Sequence, residues 1–328
     1  MQKNVYDHIQ SNNLRTMALV ALFPLSLLVL FSLILYILLL IGQGEVIDYQ
    51  LVNETALYYI KRFSFWVMVI GLGWMAIVWN IGGDMMLSFA GATELNPKSK
   101  ENKKIYQLVE NTAMAAGLPM PRVFIVKDES LNAFATGKNP QNSAVALTSG
   151  IIKKLSPLEL QGVIAHELAH IGNRDVRLNM MLISGVSIFG FLADILFRMQ
   201  FSSSNSRDNK NSLHIVILAA AITFFIFNLI VAPLLRLAVS RCREYAADST
   251  GALITRNPQA LADALKKISQ DARVEALDSA KEMAAACIYT PLKIEAFSLT
   301  STHPPVEERI KRLEQMAGTA TNPIIKGG

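Results

Sequence analysis

One stretch, Ser156–Asp175, constrains this chain more than any other, because it predicts a helix and places metal-binding side chains on one face of it. Ser156 is followed directly by a proline and three residues later by Glu159, which is the pattern of a capped helix start. Further along, the sequence His-Glu-Leu-Ala-His runs from His166 to His170. Side chains four residues apart lie on one face of an α-helix, about 6 Å apart along its axis. Two imidazoles in this arrangement can bind one Zn²⁺ ion.

Glu167 lies next to the first of these histidines, where its carboxylate can reach a water molecule bound to the metal. The alternative is that the pattern occurs by chance on an ordinary buried helix. The chain has only 5 histidines, so two of them in this spacing around a glutamate favour the metal site. A motif of this kind still needs support from elsewhere in the chain.

A second group of acidic residues lies downstream, where Glu244 and Asp248 are four residues apart and share a helix face. A catalytic zinc ion usually has three protein ligands and one open position, so Glu244 can complete a set with the two histidines. Asp248 can then accept a hydrogen bond from the outer ring nitrogen of a ligand histidine. Taken alone, the simpler interpretation is a solvated helix face that pairs with Arg241 and Arg243.

The two motifs together, His-Glu-x-x-His and then Ser-Arg-x-Arg-Glu-x-x-Ala-Asp, resemble those of the M48 metallopeptidases, in particular the bacterial membrane-bound HtpX-type proteases. The resemblance covers most of the chain. It includes the N-terminal hydrophobic segments, the Asn132–Ala135 stretch and the Ser301–Pro305 stretch. It implies a mainly α-helical integral membrane protein with a small β-sheet, of the gluzincin-like zincin class. Four hydrophobic helices and a cytoplasmic catalytic domain are expected.

The resemblance also implies roles for individual residues. One Zn²⁺ ion per chain is expected on His166, His170 and Glu244, with Glu167 as the catalytic base. His303 is the candidate donor to the oxyanion, although a capping or core histidine at the start of the last helix is an equal alternative.

In similar zinc proteases an edge strand beside the metal binds the substrate backbone as an added strand. Asn132 and Ala133 are the candidates for substrate binding in this chain. The alternative for these two residues is a plain β-turn.

The composition indicates a membrane protein. Hydrophobic residues make up 52% of the chain, charged residues only 17%, and the mean hydropathy is +0.32. The formal charge of +5 is better explained by basic flanks of membrane spans than by a nucleic-acid surface, because no basic run with interleaved aromatic residues occurs. The lipid bilayer is therefore an expected partner and nucleic acid is not. The two cysteines, Cys242 and Cys287, predict reduced thiols in a cytosol-facing protein.

Two N-terminal segments, Met17–Ile41 and Phe63–Gly83, are long and apolar enough to cross a bilayer. Residues 42–62 between them predict a polar loop. The lysines that follow residue 94 favour a cytoplasmic N-terminus and a cytoplasmic 94–177 region, although Lys61 and Arg62 weaken this bias. The predicted location is a bacterial inner membrane, with a multi-pass chain whose active site faces the cytoplasm.

Two further apolar segments, Leu178–Phe197 and Leu213–Leu235, lie between the two motifs. Because Glu244 must return to the metal, these segments must leave the site and come back to the same side. A spanning hairpin is the favoured interpretation, and a hairpin buried in protein or partly in the bilayer is the alternative. The predicted domains are therefore a membrane anchor at 1–93 and a metallopeptidase domain at 94–328, interrupted by a hydrophobic hairpin at about 178–235.

Shorter segments predict the soluble part. Short strands are expected at Val123–Val126, Asn132–Ala135 and Ala144–Thr148. Helices are expected at residues 102–116, 258–269, 272–288 and 304–316. The last helix is expected to lie on the surface because it carries the charged residues Glu307, Glu308, Arg309, Lys311 and Arg312.

These features predict a zinc-dependent endopeptidase that hydrolyses peptide bonds of membrane or misfolded proteins near the cytoplasmic face, in protein quality control. The alternative is a non-catalytic membrane scaffold or chaperone with a protease-like fold. The intact Glu167 favours the enzyme, because a site that only binds zinc needs no base. Zinc-dependent hydrolysis of a non-peptide bond is a third possibility, which the edge-strand motif disfavours.

Overall fold

The computed structural model describes residues 5–43, 47–202, 217–218, 220–225, 241–269 and 304–320. Contacts divide the chain into two compact units. The first contains residues 1–14, 80–180 and 236–328, and the second contains residues 15–79 and 181–235. The predicted helix at 272–288 and most of the predicted segment at 213–235 lie outside the described residues. The division into domains 1–93 and 94–328 stays a prediction.

Helices dominate the described residues. Along the chain they are α1 (Val5–Gly42), α2 (Tyr49–Phe89), α3 (Lys100–Ala115), α4 (Ser149–Lys154), α5 (Pro157–Gly172), α6 (Asp175–Ser202), α7 (Arg241–Thr255), α8 (Pro258–Ile268) and α9 (Val306–Ala320). One small sheet accompanies them. The predicted mainly α-helical fold with a small β-sheet is therefore confirmed.

The two N-terminal helices are much longer than the hydrophobic segments that predict them. The polar loop expected at residues 42–62 is wrong, because α2 already begins at Tyr49. The carboxylate of Asp48 accepts hydrogen bonds from the backbone N–H groups of Gln50 and Leu51, at 3.0 and 3.1 Å, and so caps this helix. The segment from Tyr49 to Arg62 contains no glycine or proline that would break the helix. The polar side chains of the predicted loop therefore project from a continuous helix.

Within the second unit, α1 and α2 pack with their backbones close together. A Cβ atom added at Gly71 would lie 2.9 Å from the Cα atom of Pro24, so only glycine fits at this crossing. Among the described residues, two helical segments are long and apolar enough to cross a membrane, namely Ile9–Gly42 and Tyr49–Phe89. The third predicted segment is helical within α6. Four membrane helices remain a prediction.

The sheet lies in the first unit and has four strands, β1 (Ala92–Glu94), β2 (Arg122–Val126), β3 (Ala133–Asn139) and β4 (Asn142–Thr148). Their order is β1-β2-β4-β3, with β2 and β4 parallel and the other neighbours antiparallel. The three predicted strands are present. β3 is an edge strand with Ala133 opposite Leu147, so the alternative of a plain turn at this place is excluded.

Helix α5 forms the centre of the first unit, with Val163, Ile164 and Leu168 fully buried. It starts as predicted. The hydroxyl of Ser156 accepts a hydrogen bond from the backbone N–H of Glu159, and the Glu159 carboxylate accepts one from the backbone N–H of Ser156 at 2.7 Å. Together these bonds satisfy two backbone N–H groups at the helix start.

The Glu159 carboxylate also joins α5 to α8, because Nζ of Lys267 lies 2.8 Å from it. Partial burial would raise the pKa of Glu159, but the hydrogen bonds from Lys267 and from the Ser156 backbone outweigh it, so this pKa is lowered from its ordinary value of 4.5. A carboxyl with a depressed pKa in the folded state stabilises the fold above its unfolded pKa. The stabilisation is lost as the pH falls through the folded pKa.

We therefore expect Glu159→Gln to lower the thermal midpoint at pH 7 by about 2–4 °C, because the amide cannot pair with the Lys267 cation. The gap between parent and variant should close as the pH falls below 4.5, where the parent carboxylate also takes up a proton. Thermal unfolding in detergent across this pH range measures the effect. Glu129→Gln is the matched control, because the Lys153–Glu129 pair is exposed. An equal loss in both variants would contradict this role of Glu159.

Candidate metal centre

Three side chains from two helices converge in the first unit. The Nε2 atoms of His166 and His170 lie 3.2 Å apart. The carboxylate of Glu244 on α7 places Oε1 3.5 Å from Nε2 of His170 and Oε2 3.7 Å from Nε2 of His166. All three residues are buried. A tetrahedral zinc ion with bonds of 2.0–2.1 Å separates its ligand atoms by about 3.3 Å, so the triangle has the right size for a metal.

The approach of α7 to α5 depends on Gly251. A Cβ atom at this position would lie 3.0 Å from the backbone nitrogen of His166 and 3.2 Å from its Cα atom. A larger residue would therefore push the two helices apart at the level of the metal ligands. Because Gly251 lies two helical turns after Glu244 on the same helix, it keeps the glutamate within reach of the histidines.

Asp248 lies one turn after Glu244 and contacts His166. Its Oδ1 atom is 2.9 Å from Nδ1 of His166, so Asp248 and Glu244 approach different nitrogens of this ring. The interpretation of Glu244 and Asp248 as a solvated face is excluded, since each is only 4% exposed.

Arg309 on α9 holds Asp248 in place. Its Nε and Nη2 atoms donate to the two carboxylate oxygens of Asp248, at 2.8 and 2.7 Å. Burial would raise the pKa of Asp248, but the Arg309 charge lowers it to about 2, so the carboxylate stays ionised. Arg309 is 1% exposed, so its place among the surface charges of the last helix is wrong, whereas Glu307, Lys311 and Arg312 are exposed as predicted. The charged residues on either side of Arg309 give no sign of its burial in the sequence. In the structure, α9 buries the face that carries Arg309 and Leu313.

Asp175 contacts His170 as Asp248 contacts His166, and neither sequence motif marks it as a site residue. Its Oδ2 atom lies 2.9 Å from Nδ1 of His170. The chain reaches this position by a sharp turn, since Arg174 has a φ of 59° between the end of α5 and the start of α6. An acidic residue directly after the end of the motif helix is the signal that could have indicated this contact.

The charges around the histidines are unbalanced without a cation. Four buried carboxylates, which belong to Glu167, Asp175, Glu244 and Asp248, accompany two buried guanidinium groups, which belong to Arg243 and Arg309. Among the described residues, the group therefore carries two negative charges in excess when both histidines are neutral. A divalent cation neutralises this excess, so the residues present fit a metal ion in charge as well as in spacing.

The same excess of negative charge favours a proton on His170. Burial would lower its pKa, but the charges of Glu244 and Asp175 and the hydrogen bond to Asp175 raise it to about 9 in the metal-free protein. A proton on His170 thus offsets part of this negative charge, and that proton would leave if a metal ion bound to the ring.

Glu167 is 3% exposed and directly follows His166 on α5, next to the ligand triangle. Ala133 is the first residue of the edge strand β3, which packs against α5, and Asn132 directly precedes it. The side-chain oxygen of Asn132 accepts a hydrogen bond from the backbone N–H of Ala133 at 2.8 Å, and both residues are 1% exposed. His303 lies outside the described residues.

Comparison with known proteins identifies a family. The family described as Peptidase family M48 matches residues 99–317. A protein named Protease HtpX homolog from Bacteroides fragilis is 42% identical over 314 residues, which cover 93% of this chain and 96% of the relative. A relative of the same name from Leuconostoc citreum is 35% identical over 317 residues, which cover 95% of this chain and 100% of the relative. Among solved structures, the crystal structure of S. mikatae Ste24p aligns with a TM-score of 0.44 and 20% identity, over 86% of this chain and 62% of that chain.

The contacts of Arg309 predict a measurable role in metal binding. Arg309→Lys keeps the positive charge but loses the bidentate hydrogen bond to Asp248. The affinity for a metal ion should therefore fall by about 10–100-fold. Arg309→Ala should in addition destabilise the fold by about 3–5 kcal/mol, because the Asp248 charge is left buried without its partner. Zinc titration and thermal unfolding measure the two effects. Lys311→Ala on the exposed side of α9 is the control. Parent-like zinc affinity in Arg309→Lys would contradict the role.

Proposed function

Because the chain belongs to peptidase family M48, we propose that it is a zinc-dependent endopeptidase embedded in the cytoplasmic membrane of a bacterium. The observation that carries this proposal is the buried triangle of His166, His170 and Glu244 with the Glu167 carboxylate next to it. A set of two histidines and one glutamate leaves a coordination position open, as a catalytic zinc ion requires.

The chain's own residues provide the acid–base chemistry of peptide hydrolysis. A bound zinc ion would supply a Lewis acid and lower the pKa of water at the site to about 7. Glu167 takes a proton from the attacking water and later delivers it to the leaving amine. Asp248 and Asp175 keep the two histidines in the tautomer that turns Nε2 towards the metal. By family resemblance, His303 donates to the oxyanion that develops in the transition state.

The substrate is a polypeptide, and β3 is the element that we assign to bind it. The backbone of Asn132 is paired with Thr148 of β4, since the N–H of Thr148 donates to the Asn132 carbonyl oxygen at 3.1 Å. The next residue, Ala133, therefore directs its backbone groups away from β4, where its N–H donates to the Asn132 side chain at 2.8 Å, and a substrate strand would add there by taking over this N–H.

Membrane or misfolded proteins near the cytoplasmic face are the substrates that we infer, in a quality-control role. The two apolar helical segments Ile9–Gly42 and Tyr49–Phe89 support a membrane location. The basic residues that follow residue 94 support a cytoplasmic active site. A non-catalytic scaffold is disfavoured, because burying a fourth carboxylate beside three others is unfavourable unless it has a chemical use.

Glu167→Gln tests the proposed activity. The amide has nearly the same shape but cannot accept the proton of water, so casein cleavage should fall by at least about 10²-fold. Zinc content should stay near one ion per chain, because Glu167 is not a ligand. Glu244→Ala is the comparison, and it should lose zinc and activity together. Cleavage by purified protein with and without a chelator is the measurement. A parent protein that binds zinc but cleaves no peptide would favour the scaffold.

Reporter fusions test the membrane topology. Fusions after residues 95 and 245 should report the cytoplasm, because both lie in the unit that contains the metal ligands. Fusions near residues 47 and 205 should report the opposite side of the membrane. A cytoplasmic signal at residue 205 would show that the hairpin does not span, while the metal site would be unaffected. A non-cytoplasmic signal at residue 95 or 245 would contradict the proposed location of the active site.

A further inference from the structure

The first turns of α1 contain a buried polar residue that neither the motifs nor the proposed mechanism uses. Asn12 is 2% exposed, although it lies at the start of a strongly apolar helix. Its Nδ2 atom donates to Oδ1 of Asp175 at 2.6 Å and to the backbone oxygen of Asn173 at 3.0 Å. These partners are 163 and 161 residues away in the sequence. Both N–H groups of one side-chain amide are therefore used on the turn that follows the metal-binding helix.

This turn decides where Asp175 points. It runs from Asn173 through Arg174, whose φ of 59° is unfavourable for a residue with a side chain, to Asp175 at the start of α6. A backbone conformation of this kind persists only where surrounding contacts hold it. Asn12 supplies two such contacts, one before Arg174 and one after it. The amide thus closes the turn from outside, as a clamp on its two ends.

The clamp acts on the carboxylate that orients a metal ligand. Oδ2 of Asp175 lies 2.9 Å from Nδ1 of His170. The other carboxylate oxygen, Oδ1, accepts a hydrogen bond from the Asn12 amide and lies 3.6 Å from Nη1 of Arg243. Asp175 is 1% exposed, so its oxygens depend on protein donors for hydrogen bonding. Without the Asn12 amide, the carboxylate is free to rotate away from His170. The imidazole would then lose its orientation and part of its basicity towards a metal.

We infer that Asn12 is a positioning residue of the metal centre, which acts through Asp175 on His170 and makes the start of α1 a structural part of the zinc site. This inference rests on the proposed function in assigning His170 as a zinc ligand. Asn12 touches neither metal nor substrate, so its effect is on the affinity for zinc and not on the recognition of a peptide.

The neighbouring Asn13 provides a matched control. It has the same side chain in the next position of α1, but its Oδ1 atom accepts from Arg177 and not from a group at the metal site. Asn12→Asp is the second informative variant, because it keeps the shape of the side chain and replaces the amide donor by a carboxylate, which only accepts hydrogen bonds when ionised. Its negative charge also faces that of Asp175.

The experiment uses the full chain in detergent and measures the dissociation constant for Zn²⁺ alone by competition with a chromogenic chelator. Asn12→Ala should weaken zinc binding by about tenfold and Asn12→Asp by more, within the range of about 10–100-fold for the outer partners of metal ligands. Asn13→Ala should stay within about twofold of the parent. At saturating zinc, the KM for casein should be unchanged in all variants.

A double-mutant cycle separates positioning from general packing. Asp175→Asn should weaken zinc binding by about 10–100-fold, and adding Asn12→Ala to it should bring no further loss, because both changes break the same chain of contacts. The inference would be overturned if the losses of zinc affinity in the two single variants multiply in the double variant. A parent-like zinc affinity in Asn12→Asp would overturn it as well. The binding measurement does not need peptidase activity. A parent that binds zinc without cleaving casein would therefore refute the proposed function and leave this inference intact.

Discussion

The histidine–carboxylate contacts on the outer side of the metal-binding helix are the interactions on which the site depends. His166 meets Asp248 and His170 meets Asp175, each at 2.9 Å. Each contact fixes one ring nitrogen, so both Nε2 atoms turn towards Glu244. Neither carboxylate stands alone, because Arg309 holds one and the amide of Asn12 holds the other. The site is thus built in two layers, with the outer layer drawn from distant parts of the chain.

The same arrangement sets the electrostatic character of the site. Among the described residues, carboxylates outnumber guanidinium groups around the two histidines, and the charges of Glu244 and Asp175 raise the pKa of His170 to about 9 against the opposing effect of burial. A divalent cation relieves this excess of negative charge.

The helices of the first unit reach this arrangement through close packing. Gly251 allows α7 to approach the backbone at His166, and the capping box at Ser156 together with Lys267 fixes the start of α5 against α8. The edge strand β3 packs against the same helix and carries Ala133 into the first unit. The two histidines of the candidate metal centre, the proposed base Glu167 and the proposed substrate strand thus share α5 as their common support, so a change in the neighbours of α5 is expected to affect the site.

The sequence by itself determined the local parts of this protein. Helical periodicity places His166, Glu167 and His170 on one turn, and the same four-residue spacing pairs Glu244 with Asp248, because both relations follow from the geometry of a single helix. The apolar segments and the short strands are equally local signals. Tertiary structure alone decided which distant groups complete the site. Nothing in the charged run around Arg309, or in the polar residues Asn12 and Asn13 near the start of α1, marks one residue as a partner of a buried carboxylate. Such partnerships depend on where helices cross, and that is set by the packing of the whole unit.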